Sequence, residues 1–483
     1  MSEMSGSAAS RVSTTRKIRD LPAPPGLPVL GNLLQVDSTR LHLAAEAWSR
    51  KYGEYFRFRV AGREFVVIAN PDAIATVLRD RPDGFHRTPR FEATTKELGF
   101  GGVLSSNGAA WLRQRPMVMA GFDPGHIKSY FPALVRVTER FAGRWRRAAE
   151  AAATIDLQAD LMRYTVDVTA GLAFGADINT LESEEEVIQS HLDKVLPALF
   201  KRVMAPVQYW HWIKLPADRR LDEHLEALRQ AVQGFIAAAR SRIEGNASLR
   251  TRPTNLIEAM IAARDTPGSG LSDTDVAENV LTMLLAGEDT TANTLAWMIW
   301  LLSRNPRSLE RARDEVRGVL GAERLPTRYE QLSALPFIEA CTNETMRLKP
   351  VVPLITSQAA RDTVVAGLEI PAGTLVMCLM RPGAVDERHF PRPAQFDPER
   401  WLGADRGPAR AAASAKRIAM PFGAGPRLCP GRYLALLEIK MVIAMLLAGF
   451  QIEAVTTRDG AEPREHLALT MSPVGLQMKL EAR

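Results

Sequence analysis

The chain has 483 residues, 46% of them hydrophobic and 24% charged, so it has ample material for a buried core and is neither fibrous nor compositionally disordered. A formal charge of +6 suits an acidic protein partner better than nucleic acid, because no long Lys/Arg run accompanies it. Three cysteines, at 341, 378 and 429, exclude a disulfide framework and fit a reducing cytoplasm.

The first twenty residues are polar and predict a disordered tail with no signal peptide or membrane anchor. With no interior linker and no internal repeat, residues 21–483 read as one domain. "LPAPPGLPVLGN" (21–32) is a Pro/Gly-rich lead-in, and "YFRFRVAGREFVVIAN" (55–70) alternates as a β-hairpin does. From about 110 to 350 the apolar residues recur near the 3.6-residue period of helices. Within that span, "LTMLLAGEDTTANTLAWMIWLL" (281–302) predicts one long helix starting near Ser272 or Asp273 as N-cap. About 30 residues of helix span about 45 Å, enough to cross the molecule. Two short strands around a Pro-Gly turn are expected at 363–378, a helix at about 431–449, and strand at 467–480. The longest apolar run, "MVIAMLLAGF", has ten residues and is too short to span a bilayer. The fold class is therefore mainly α with small β-sheets.

Four stretches carry chemistry. In "PFGAGPRLCPG" (421–431), Cys429 stands just before an apolar helix, where unpaired N–H groups and the helix dipole favour a thiolate. Gly425 and Gly431 allow close backbone approach or positive φ. A plain buried cysteine is the bland alternative. No second Cys or His stands at zinc spacing, and no His partner marks a nucleophile, whereas a lone thiolate can ligate haem iron. The long helix carries Glu288, Asp289, Thr290 and Thr291 in its middle, between turns that are apolar all round. This polar turn is expected to be buried, and buried polar groups usually have a task. In "EACTNETMRLKP" (339–350), Glu344 and Arg347 face one another at i, i+3; alone, that is a surface ion pair of little value. In "NGAAWLRQRPMVMAGF" (107–122), Trp111 and Arg115 lie one helical turn apart.

The order F-G-x-G-x-R-x-C-x-G is filled by Phe422, Gly423, Gly425, Arg427, Cys429 and Gly431, and resembles the haem-binding signature of the cytochrome P450 monooxygenases. With the other three stretches in family order, the resemblance covers about 21–480. It implies the triangular, helix-rich P450 body, with haem b held between the long central helix and the cysteine loop, and Cys429 as axial ligand. By the same resemblance, Ala286 and Gly287 leave room for dioxygen, and Asp289 and Thr290 form the acid–alcohol pair that delivers protons. Trp111, Arg115 and Arg427 serve haem propionates. Glu344, Arg347 and Arg400 of "FDPERWL" form a structural set tying helix to loop. One departure stands out: where many members carry a propionate arginine, "PLITSQAARD" (353–362) has Ser357.

The resemblance further implies insertion of one oxygen atom from O2 into a lipophilic molecule of the fatty acid, terpenoid or steroid class. The pocket would be lined by Phe100 to Leu104, Met283 to Ala286, Leu354, Ile355, Ala468 and Leu469, and the lid formed near "APVQYWHWIKLPADRR" (205–220). No dinucleotide fingerprint, flavin domain or four-cysteine cluster is present, so electrons are expected from a ferredoxin or flavodoxin with its NAD(P)H reductase. Arg113, Lys416, Arg417, Arg432 and Lys440 are the candidate docking face on a monomer. A peroxide-driven or rearranging enzyme is the rival in the same fold, against which the intact Asp289–Thr290 pair stands. A non-catalytic haem sensor is the rival from another class, separable by turnover.

Overall fold

A computed structural model describes residues 15–183, 188–205, 207–402 and 415–483. Its axis is the predicted long helix, Asp273–Arg304, whose N-cap is Ser272. Ser272 and Asp275 cap one another reciprocally: the Asp275 N–H donates to the Ser272 hydroxyl at 3.1 Å and the Ser272 N–H donates to the Asp275 carboxylate at 2.8 Å. Most residues from Val276 to Leu302 are buried, Glu288, Asp289 and Thr291 of the polar turn included, while Thr290 is half-buried. The helix therefore runs through the core rather than over it. It packs along Leu157–Phe174, where Gly287 is the close-contact point. A Cβ there would sit 2.6 Å from the Thr169 hydroxyl. Gly287 thus permits the close helix–helix approach on its Thr169 side, while it also lines the cavity described below.

Among the described residues, four small sheets stand around this helical body. The largest has five strands in the order Tyr55–Val60, Arg63–Ile68, Leu375–Leu379, Leu354–Ala359, Phe85–His86. Its first pair is the expected hairpin, in the register Tyr55↔Ile68 to Val60↔Arg63. Ile155–Asp156, Leu476–Ala482 and Phe450–Thr457 form a second sheet.

Three expectations change. The stretch 363–378 holds three strands. Thr363–Val365 and Leu368–Ile370 pair around Ala366-Gly367, both at positive φ, and Leu375–Leu379 leaves for the large sheet after the Pro371–Gly373 turn. Strand at 467–480 becomes three pieces, Glu465–Ala468, Thr470–Pro473 and Leu476–Ala482, broken at Leu469 (φ 82°) and Gly475 (φ 73°). Residues 1–14 of the expected tail lie outside the described residues, but Ile18–Asp20 is a 3-10 turn and the Arg16 N–H donates to Gly367 O at 2.8 Å. Among the described residues, no helix is long and apolar enough to cross a membrane.

Candidate active site: a deep cavity over the Cys429 loop

The cysteine loop is a set of tight turns ending at the helix Arg432–Gly449. The Gly423 N–H donates to Met420 O, Leu428 N–H to Gly425 O and Cys429 N–H to Phe422 O, at 2.8, 3.0 and 3.1 Å. Gly425, at φ 73°, passes so close to the helix end at Leu78–Arg79 that a Cβ would lie 2.4 Å from Leu78 O. Gly431 has an ordinary φ of −80°, so the conformational freedom expected there is not used.

Above the loop lies a cavity of about 1560 Å³. Cys429, Phe422 and Gly423 are on its surface, with Ala286, Gly287 and Thr290 of the central helix. Leu104, Met283, Leu354, Ile355, Ala468 and Leu469 line it as expected, and Val207 to Tyr209 of the expected lid reach its rim. Residue 206 of that lid lies outside the described residues. Phe100 does not line the cavity. Its ring is fully buried in the main core, and Val103 takes the place beside Leu104.

Burial pushes the Cys429 thiol up; the Gly431 N–H and the guanidiniums of Arg115 and Arg432 pull it back without overturning that. A metal ion coordinated there would favour the thiolate. Cys341 and Cys378 are buried elsewhere, the latter pushed up to about 12 by burial.

One flank of the cavity gathers four arginines: 81, 87, 115 and 427. The Arg427 guanidinium lies 4.9 Å over the Trp111 ring and donates to Ser106 O and, at 3.2 Å, to Asn107 Oδ1. Arg115 donates to Leu428 O, Arg87 to Leu104 O at 2.9 Å, and Arg81 to Leu78 O at 3.3 Å. Among the described residues, none of the four is ion-paired to a carboxylate, and Arg427 Nε is buried without a partner. Burial, then like-charge repulsion, lowers Arg87 to about 9; the same two causes lead in lowering Arg427 to about 10. Such a cluster is stable only opposite anions, and two carboxylates on a flat apolar group would fit it.

Arg81 and Arg87 were not legible in the sequence. Phe85–His86 pairs antiparallel with Leu354–Ala359 in the register Phe85↔Ala359 and His86↔Gln358, and Arg87 follows directly after the short strand. The signal was the arginine in "FHRTP", directly after a two-residue strand.

Opposite the arginines, Asp289 and Thr290 separate. The Thr290 hydroxyl faces the cavity and donates to Ala286 O at 2.9 Å. The Asp289 carboxylate turns aside, accepting from the Asn293 amide at 2.9 Å and from the Thr470 hydroxyl. Burial raises its pKa, and those two hydrogen bonds offset part of the rise.

Beneath the site, Glu344 accepts five hydrogen bonds: from Arg347 Nη2 (2.7 Å), Arg347 Nε (2.8 Å), the Asp397 N–H (2.9 Å), Trp401 Nε1 (2.9 Å) and Arg400 Nε (3.1 Å). Arg347 also donates to Ala384 O, Pro393 O and Gln395 O. Trp401 was the member the sequence did not disclose.

The expected docking cations divide. Arg113 and Lys416 are exposed. Arg417 is ion-paired to Asp72. Arg432 is half-buried, 4.3 Å over the Tyr433 ring. Lys440 is buried against Glu339 at 2.7 Å, because its helix face packs inward, and it leaves the set.

A sequence model of the family described as "Cytochrome P450" matches residues 21–480. The chain belongs to the cytochrome P450 family. It is 28% identical to cyclooctatin synthase of Streptomyces melanosporofaciens over 95% of either chain. It is 27% identical to pentalenene oxygenase of Streptomyces avermitilis, over 95% of this chain and 97% of that one. A third relative, cyclooctat-9-en-7-ol 5-monooxygenase of Streptomyces melanosporofaciens, is 28% identical over 90% of this chain and 89% of its own. This P450 is accordingly a monooxygenase of a lipophilic small molecule, with haem on a cysteine thiolate and O2 as co-substrate.

Proposed function

We propose that this cytochrome P450 binds haem b through Cys429 and oxygenates a terpenoid hydrocarbon. The observation that carries the reading is the cavity itself, with Cys429 at its floor and the unpaired arginines on one flank. The names of the three relatives favour the terpenoid class over fatty acids or steroids, and the apolar walls at Leu104, Met283, Leu354, Ile355 and Leu469 suit it.

When bound, the haem supplies oxygen activation, using two electrons and two protons to turn O2 into water and one inserted oxygen atom. The chain's own residues do the rest. Arg81, Arg87, Arg115 and Arg427 would neutralise the propionates, with Arg427 held over the Trp111 ring. Thr290 presents a hydroxyl to the cavity at Ala286 and Gly287, and Asp289, whose pKa burial raises, is the acid, held by Asn293 and Thr470. Apolar walls keep bulk water from the reacting carbon. Glu344, Arg347 and Arg400 fix the loop that leads to Cys429.

Electrons reach the site from a separate ferredoxin or flavodoxin and its NAD(P)H reductase in the cytoplasm. Arg113, Lys416 and Arg432 are the cations available to an acidic carrier. The test is a screen of terpenoid hydrocarbons for a spin-state shift of the haem, followed by turnover with surrogate carriers. A hydroxylated or epoxidised terpenoid supports the reading. A response to fatty acids alone overturns the substrate class.

A further inference from the structure

Thr470 sits next to the tip of a hairpin that serves two neighbours at once. The strands Glu465–Ala468 and Thr470–Pro473 pair in the register Ala468↔Thr470, so the chain reverses through Leu469 alone. Leu469 takes φ 82°, a left-handed value costly for a branched side chain, and strain of this kind persists only where the surroundings hold it. Both ends are held. At the base, the Glu465 carboxylate accepts from Lys349 at 2.6 Å, from Arg381 at 2.7 and 2.9 Å, and meets His42 Nε2 at 2.9 Å. At the tip, the Thr470 hydroxyl donates to Asp289. Ala468, Leu469 and Thr470 also line the cavity, which the Asp289 carboxylate does not.

The other group on that carboxylate is Asn293, whose own Oδ1 accepts from Gln158 Nε2 at 2.9 Å. An amide can orient an acid but has no titratable proton to pass on. A hydroxyl both donates and accepts. Thr470 is therefore the one of the two that can connect Asp289 to the cavity.

We propose that Thr470 is the positioning residue for Asp289: its hydroxyl aims the carboxylate from the wall of the substrate cavity and makes that wall part of the proton path. The inference rests on the reading of Asp289 as the site's acid. It adds a residue from the far end of the chain to a path otherwise drawn within one helix. Substrate leaning on Leu469 would act directly on the acid's partner.

The test uses holoenzyme variants and carbon monoxide as the probe. The infrared stretch of the ferrous carbonyl is followed against pH, with melting curves as a check on folding. Titratable groups on the elements packed about the acid are Glu288 on its own helix, Glu438, hydrogen-bonded with Thr291, and Glu465 and His466 on the hairpin. Asp289→Asn identifies which transition belongs to the acid. Losing one hydrogen bond to the charged form should raise that midpoint by about one pH unit in Thr470→Val. Thr470→Ser, which keeps the hydroxyl, should restore it. If Asp289→Asn removes the transition and Thr470→Val leaves it in place, Thr470 does not position the acid and the proposal fails. If Asp289→Asn removes nothing, the reading of Asp289 fails instead.

Discussion

The guanidinium of Arg427 lies 4.9 Å over the ring of Trp111, and its Nε is buried without a partner. Two motifs far apart in the chain thus meet face to face on one flank of the cavity. A cation held this way has its plane fixed and its charge unspent, which suits a carboxylate arriving with a cofactor.

The arginine cluster gives a prediction with opposite signs in two states. Without an anion, four guanidiniums repel one another. Arg87→Leu should therefore stabilise the apoprotein and weaken haem retention. One charge-assisted pair contributes about 1.5–3 kcal/mol, so haem transfer to an acceptor globin should speed up roughly 10- to 100-fold. Equal transfer rates in variant and parent would remove Arg87 from the propionate site.

Cys429→Ser should lose the red-shifted Soret band of the reduced carbonyl complex while keeping the fold, because the loop is held by backbone hydrogen bonds that Ser preserves. Absorbance after dithionite and carbon monoxide reads this directly. An unchanged band would place the ligand elsewhere.

Glu344→Gln leaves Arg347, wholly buried, without its counter-charge. Breaking one side of a buried pair costs about 3–5 kcal/mol. Chemical denaturation should show a loss of that order, together with poor haem incorporation. A loss under 1 kcal/mol would mean the set is dispensable.

Glu438 supplies a pH test. Burial drives its carboxyl well above the usual range, against a smaller effect of its hydrogen bond with Thr291. The folded state then holds a proton that the unfolded state releases above about pH 4.3. Stability from this group is present below that pH and is lost as pH rises toward the folded value, at up to about 1.4 kcal/mol per unit. Glu438→Gln should match the parent near pH 4 and exceed it at pH 7 in denaturant titrations. A constant difference across that range would show that Glu438 is already ionised in the fold.

Local spacing in the sequence carried much of this. A capped helix at 272–304 was readable because its polar turn interrupts an otherwise apolar run and Ser272 begins a capping box. Motif order placed Glu344, Arg347 and Arg400 in one set, and the structure joins them on one carboxylate. Phe100 was misjudged because an aromatic beside a pocket segment reads the same whether its ring faces the cavity or the core. Lys440 was misjudged because a lysine on an apolar helix gives no sign of the glutamate that meets it across 101 positions.

Taken alone, the sequence determined the family, the cysteine and the long helix, because these depend on residues close together in the chain. Only the tertiary structure decided which groups share a surface. It put Arg87 on the cavity wall, brought Trp401 to Glu344, and turned Asp289 toward Thr470, 181 residues away. Such pairings are fixed by packing and by where burial leaves a charge unpaired, and neither quantity is a property of a local stretch.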